Sequence, residues 1–235
     1  MVAERGLFIV ADGMGGHAAG EVASEMAVRI VAKELGDVGG RSDAEVAERM
    51  RRAIQAANGA IFERTLTEHD KRGMGTTATA LVLKGGRYLI GQVGDSRAYL
   101  LRDRRLMQLT KDHSYVQEQV DAGYLTPDQA RTHPYSNVIT RCVGANADVS
   151  PDIYVGAIRA GDLYLLASDG LTGMLEDHDL ATELSSSHEP QAMVDALIAE
   201  ANRRGGLDNV TVIVVRVDSV EVLQDDRTTA AIARF

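Results

Sequence analysis

With 235 residues, 45% of them hydrophobic and 25% charged, the chain holds enough apolar material for one sizeable domain and has a globular composition. A net charge of −9, scarce aromatics and the absence of tryptophan argue against a nucleic-acid-binding surface. No apolar run reaches the length of a membrane span, and the single Cys142 allows no intramolecular disulfide, so a cytoplasmic, non-membrane protein is expected.

In chain order, LFIVAD reads as a strand ending at Asp12, followed by a glycine-rich loop over residues 13–20. Val22, Met26 and Ile30, flanked by Ala23, Ala27 and Val31, predict a helix that Gly39-Gly40 breaks. Ser42 and Glu45 form the pattern of a capping box, opening a second helix with the stripe Val46, Met50, Ile54, Ala57 and Ile61. From Gly73 to Thr110 the period changes to two. Strands over 76–83, 88–93, 97–101 and 105–109 read as one antiparallel meander.

Residues 111–153 show little apolar periodicity and read as a flap with a short helix over 115–122 and another opening at Thr126-Pro127. A strand over 162–168, helices over 177–184 and 190–202, and a closing strand from Asp208 through Val217 follow. Residues 218–235 read as an aperiodic tail, which leaves residues 1–217 as one domain. Helices and strands do not alternate regularly, so the expected class is α+β, with antiparallel sheets and helices on their outer faces.

Four apolar runs each meet an aspartate: Asp12, Asp95, Asp169 and Asp208. Any one of these can be ordinary turn chemistry. Together, spread over most of the chain with no histidine or cysteine recurring in step, they point to hard oxygen ligation of Mg²⁺ or Mn²⁺.

The motifs VADGMGGHAAGEVAS (10–24), GTTATALV (75–82), VGDSRAYL (93–100), LTKDHS (109–114), VITRCVG (138–144), LLASDGL (165–171) and DNVTVIVV (208–215) resemble, in order, the bacterial metal-dependent phosphatases of the PPM, or type 2C, family. The resemblance covers nearly the whole chain. It implies a four-layer αββα sandwich of two antiparallel sheets flanked by helices, with the metals at one end. By this resemblance Asp12 bridges two metals and the Gly13 carbonyl ligates the second. Asp169 and Asp208 complete the first metal's shell, and Asp95 with Asp169 holds a third, weaker ion. Asp12, Asp169 and Asp208 then act in catalysis through the bound ions. His17, the nearest histidine to Met14, where animal members carry one, is expected with Asn209 beside the ligands. The segment 111–153 matches the family's flap.

The resemblance further implies hydrolysis of phosphoserine and phosphothreonine by water activated at a dinuclear Mn²⁺ or Mg²⁺ centre. Phosphorylated proteins, among them serine/threonine kinases and their substrates, are the implied partners of a monomer in the cytoplasm. Family members carry a leading segment with a phosphate-binding arginine, an acidic ligand and an edge strand. None of these is matched ahead of Asp12, and Arg5 stands too near that strand to replace the arginine; Arg141 is a weak candidate for its place. The alternative expectation is therefore a non-catalytic pseudophosphatase that binds phosphoproteins. A phosphatase of small molecules is a further class.

Overall fold

The computed structural model describes residues 6–225 and 228–234, with side chains at 6–16 and 19–220. One sheet runs β1–β4–β5–β8, formed by Leu7–Val10, Ala78–Lys84, Arg87–Val93 and Asp152–Ala157. The other runs β10–β9–β6–β7, formed by Val212–Arg216, Leu163–Ala167, Arg97–Arg102 and Arg105–Gln108. All pairings in both sheets are antiparallel. A short ladder pairs β2, Gly13–Met14, with β3, Gly75–Thr76.

Every residue of β1 is buried because both faces of its sheet are covered. Leu7 and Ile9 turn toward helices α1 (His17–Leu35) and α2 (Asp43–Thr67), while Phe8 and Val10 meet the second sheet. Tyr99, Leu165 and Ala167 face outward from the second sheet onto α6 (Asp177–Leu184) and α7 (Pro190–Arg203). The order helix, sheet, sheet, helix is thus the four-layer sandwich, with one apolar seam per interface. No helix among the described residues is long and apolar enough to cross a membrane.

Helix α1 buries Ala23, Ala27, Val31 and Leu35, so small residues let it approach the sheet and α2 closely, while Val22, Met26 and Ile30 lie at the edge of the contact. Helix α2 starts as its sequence implies, with Ser42 and Glu45 capping each other's backbone amides. In the flap, α3 (Tyr115–Asp121) and α4 (Pro127–Arg131) form, and α4 opens on a second capping box, Thr126 with Gln129.

Several sequence expectations change, among them the expected loop over 13–20, since α1 already begins at His17. The four strands after Gly73 are not one meander: β4 and β5 belong to the first sheet and β6 and β7 to the second, with the chain crossing over at Gly94-Asp95-Ser96. Sheet structure resumes at Asp152 rather than after the flap and its successor loop, because β8 covers the edge of β5. Residues 218–235 are not an aperiodic tail throughout: β11 (Ser219–Asp225) pairs with β12 (Thr228–Arg234), and Asp226, Arg227 and Phe235 lie outside the described residues. Period two says strand but carries no label for the sheet.

Candidate metal centre

The sandwich collects its aspartates at one end, each at the limit of an element. Asp12 follows β1, and its backbone is clamped on both sides. Its amide donates to Thr77 Oγ1 at 2.9 Å, and its carbonyl accepts from the Thr77 amide and from Thr76 Oγ1, both at 2.8 Å. Directly after it, Gly13 lies against Gly20 in the first turns of α1. A Cβ on Gly13 would stand 2.0 Å from the Gly20 carbonyl oxygen, so the helix can seat on this loop only if the residue is glycine.

Asp95 sits where the chain passes between sheets. Beneath it is a buried polar network: Thr77 and Ser96 share a hydroxyl hydrogen bond of 2.7 Å, Thr79 donates to Gln92 Oε1 at 2.7 Å, and Gln92 Nε2 donates to the Ser96 and Gly94 carbonyls. These side chains satisfy the turn's backbone in the dry interior and hold Asp95 at the rim. On its far side the Gly94 amide donates to His113 Nδ1 at 3.1 Å, and the Gly94 carbonyl accepts from the His113 amide.

Asp169 opens the helical turn α5, Asp169–Thr172, at the end of β9. Asp208 is brought to it by backbone contacts: Ser168 and Thr211 exchange hydrogen bonds, and Asn209 packs its carbonyl onto Gly170, where a Cβ would come within 2.2 Å. Asp208 therefore lies in the turn ahead of β10 and not in the closing strand itself, which begins at Val212. It is exposed, and its Oδ1 accepts from the Asn209 amide at 2.7 Å.

Electrostatics tie the four together. Burial, sharing with the Asp169 carboxyl, and the charges of Asp169, Asp208 and Asp95 push Asp12 up to about 7. Burial and the charges of Asp169 and Asp112 push Asp95 up to about 7 as well. Asp169 Oδ1 is buried with no hydrogen-bond partner. Among the described residues no three His, Cys, Asp or Glu side chains converge closely enough to enclose an ion by themselves, so the aspartates share a field rather than a finished cage. The donors nevertheless fit a hard divalent cation. All are oxygens, one of them is orphaned, and two carboxyls need a counter-charge to ionise at neutral pH.

The remaining predicted residues separate. Gly13 and Met14 lie in β2, beside Asp12. His17 begins α1, but its side chain lies outside the described residues, as does Arg5. Arg141 does not present a free guanidinium: Nη1 contacts His113 Nε2, the Ser150 carbonyl and Asp152 Oδ1 at 2.9–3.0 Å. His113 is buried in that strut, and His133 stacks among Tyr115 and Tyr135. Cys142 packs against Gly75, and burial raises its thiol pKa, so it suits packing rather than nucleophilic attack. The supporting residues Thr76, Thr77, Thr79, Gln92 and Ser96 are marked in the sequence only as polar side chains inside strongly apolar strands.

The protein phosphatase 2C family model matches residues 2–200. A serine/threonine phosphatase, stp, of Listeria monocytogenes is 40% identical over 220 residues, covering 93% of this chain and 87% of that protein. The structure of the S. agalactiae serine/threonine phosphatase superposes with a TM-score of 0.84 at 40% identity, over 89% of this chain and 87% of that one. The catalytic domain of the phosphatase PstP, solved in complex with two manganese ions, gives a TM-score of 0.79 at 41% identity, over 88% and 86% of the two chains. Fold, aspartate-bearing motifs and relatives agree, and the chain belongs to the protein phosphatase 2C family, the metal-dependent serine/threonine phosphatases, in its bacterial form.

Proposed function

We propose that this chain hydrolyses phosphoserine and phosphothreonine in proteins at a dinuclear Mn²⁺ or Mg²⁺ centre held by Asp12, the Gly13 carbonyl, Asp169 and Asp208. Asp95 and Asp169 provide for a third, weaker ion. The observation that carries the reading is the shared field of the four aspartates, with Asp12 and Asp95 both raised to about 7 and Asp169 Oδ1 left without a partner. Bound divalent cations supply a counter-charge for the phosphomonoester and water activated near neutral pH.

The chain's own part is positioning. Thr76 and Thr77 fix Asp12, the network under Ser96 fixes Asp95, and the Ser168–Thr211 exchange fixes Asp169 relative to Asp208. On this reading His17 and Asn209 are the residues next to the ligands. The catalytic domain is taken as residues 1–217, with 111–153 as its flap, acting as a cytoplasmic monomer on phosphorylated proteins that include kinases and their substrates.

The test is hydrolysis of para-nitrophenyl phosphate and of a phosphothreonine peptide with Mn²⁺ and with chelator, with Asp169→Asn run in parallel. Metal-dependent turnover that disappears in the variant supports the enzyme. Folded protein that binds the phosphopeptide without turning it over would instead be the pseudophosphatase.

A further inference from the structure

A cavity of about 430 Å³ is walled by Phe62, Thr65 and Leu66 of α2 on one side and by Gly73, Gly144 and Ala145 on the other, with Arg72 on its lining. Two stretches of chain connect it to the carboxylates. Gly73 leads through Gly75 to Thr76, whose hydroxyl donates to the Asp12 carbonyl. Fully extended, those three steps would span ~10 Å, and because Gly73 sits in a turn with φ 73° the cavity lies within that reach of Thr76. Gly144 leads back through Val143, which exchanges amide hydrogen bonds with Thr76, to Cys142, which feels the charge of Asp95.

Its walls are firm. The Gly144 amide donates to buried Asn58 Oδ1 at 2.7 Å, and the same side chain holds the Asn146 and Ala147 carbonyls. Its chemistry is mixed. Leu66 is 67% exposed and stands one turn from half-buried Phe62, which gives an apolar wall to water. The neighbouring cations are engaged: Arg64 pairs with Glu68 at 2.7 Å and Lys71 with Asp70 at 3.3 Å. Arg72 makes no ion pair or side-chain hydrogen bond among the described residues.

An unpaired guanidinium beside an apolar wall suits a side chain with a methylene stem and a carboxylate head. A peptide lying extended across the site, with its phosphoresidue at the aspartates, places the residue two or three positions away about 7–10 Å off, at the cavity. Resting on the phosphoprotein reading above, we propose that this cavity is a specificity subsite taking an acidic side chain, glutamate above all, two or three residues from the phosphorylated one. In a chain of net charge −9, a local cation is what allows an acidic substrate segment to settle near the carboxylate face.

The experiment uses phosphothreonine peptides carrying Glu, Ala or Lys at each position from three before to three after the phosphoresidue. At one position two or three away, Glu is expected to lower KM about fivefold relative to Lys, with kcat little changed, the scale of one exposed ion pair. Arg72→Glu is expected to invert that preference, and Leu66→Ala to raise KM for the Glu peptide. Para-nitrophenyl phosphate, too small to reach the cavity, should show the same kcat/KM in all three proteins. A flat panel, a preference unchanged by Arg72→Glu, or Ala outperforming Glu overturns the subsite. If no peptide turns over, the catalytic reading fails, and the subsite is then judged by fluorescence anisotropy of the same peptides. Glu-selective binding reversed by Arg72→Glu upholds it, and equal binding overturns it.

Discussion

Replacing Asp95 with asparagine is expected to stabilise the metal-free chain, and more so as pH rises. Asp95 is raised from 3.8 to about 7, first by burial and then by the charges of Asp169 and Asp112. A carboxyl whose folded-state value lies above its unfolded one favours folding at low pH. That contribution is lost as pH climbs from about 4 through about 7. Raised from 3.8 to about 7, the carboxyl disfavours folding by about 4 kcal/mol once fully ionised, and the solvent that reaches this partly buried side chain reduces the figure to about 2 kcal/mol. Asparagine fills the same space and has no ionised form to disfavour. In urea denaturation followed by circular dichroism with chelator present, the advantage of Asp95→Asn over the parent should widen by about 1 kcal/mol between pH 5 and pH 8. Saturating Mn²⁺ should narrow or reverse it, because the cation restores the counter-charge to the parent. A gap that stays constant with pH, or one favouring the parent at pH 8 in chelator, would refute the reasoning.

Arg102→Ala should cost about 3 kcal/mol in the same denaturation assay, since it strands the Asp162 carboxylate, which is 1% exposed and bound at 2.7 Å through both oxygens; a loss below about 1 kcal/mol would show that the Arg159 amide and Tyr164 hydroxyl suffice. Gly91→Ala should cost about 1–3 kcal/mol, because its Cβ would stand 2.6 Å from Met50 Cγ and Sδ. Pairing it with Met50→Ala should cost less than the sum of the single changes, and strict additivity would place the strain elsewhere. His113→Ala removes the acceptor of the Gly94 amide and the link to Asp152 and Arg141, so a loss of about 1–3 kcal/mol is expected. It should also speed proteolytic cleavage within residues 111–153; an unchanged cleavage rate would mean that the strut does not hold the flap.

Much of this architecture was legible because the sequence repeats its message at several levels. The Ser42–Glu45 box, the α2 stripe and the Thr126-Pro127 start all form as written, since capping and amphipathic spacing are local codes. The assignment of strands to sheets was not local. Leu81 and Ile90 share the inner seam with Leu100 and Leu166, yet nothing in their alternation tells that the chain changes sheets at Gly94. Strand β8 was hidden because DIYVGA is short, partly exposed and attached to the flap. At the site, the aspartates stood out by recurrence, whereas Thr77, Thr79, Gln92 and Ser96 matter through contacts across two sheets that no spacing encodes. Arg141 looked free for a phosphate only until Asp152, eleven residues on, was placed against it.

The aspartates come from residues 12, 95, 169 and 208, and the segment bearing the last of them is secured by β10 zipping onto β9. No contiguous stretch of polypeptide carries even half of the cluster locally, so its assembly is dominated by loop closures of high sequence separation. During synthesis, the nascent chain holds three of the four carboxylates long before Asp208 leaves the ribosome, and β9 has one neighbour in place while the other is still to come. Chemistry is thereby withheld from the growing polypeptide. Competence at the centre therefore waits on the pairing of β10 with β9, which no earlier part of the chain can replace.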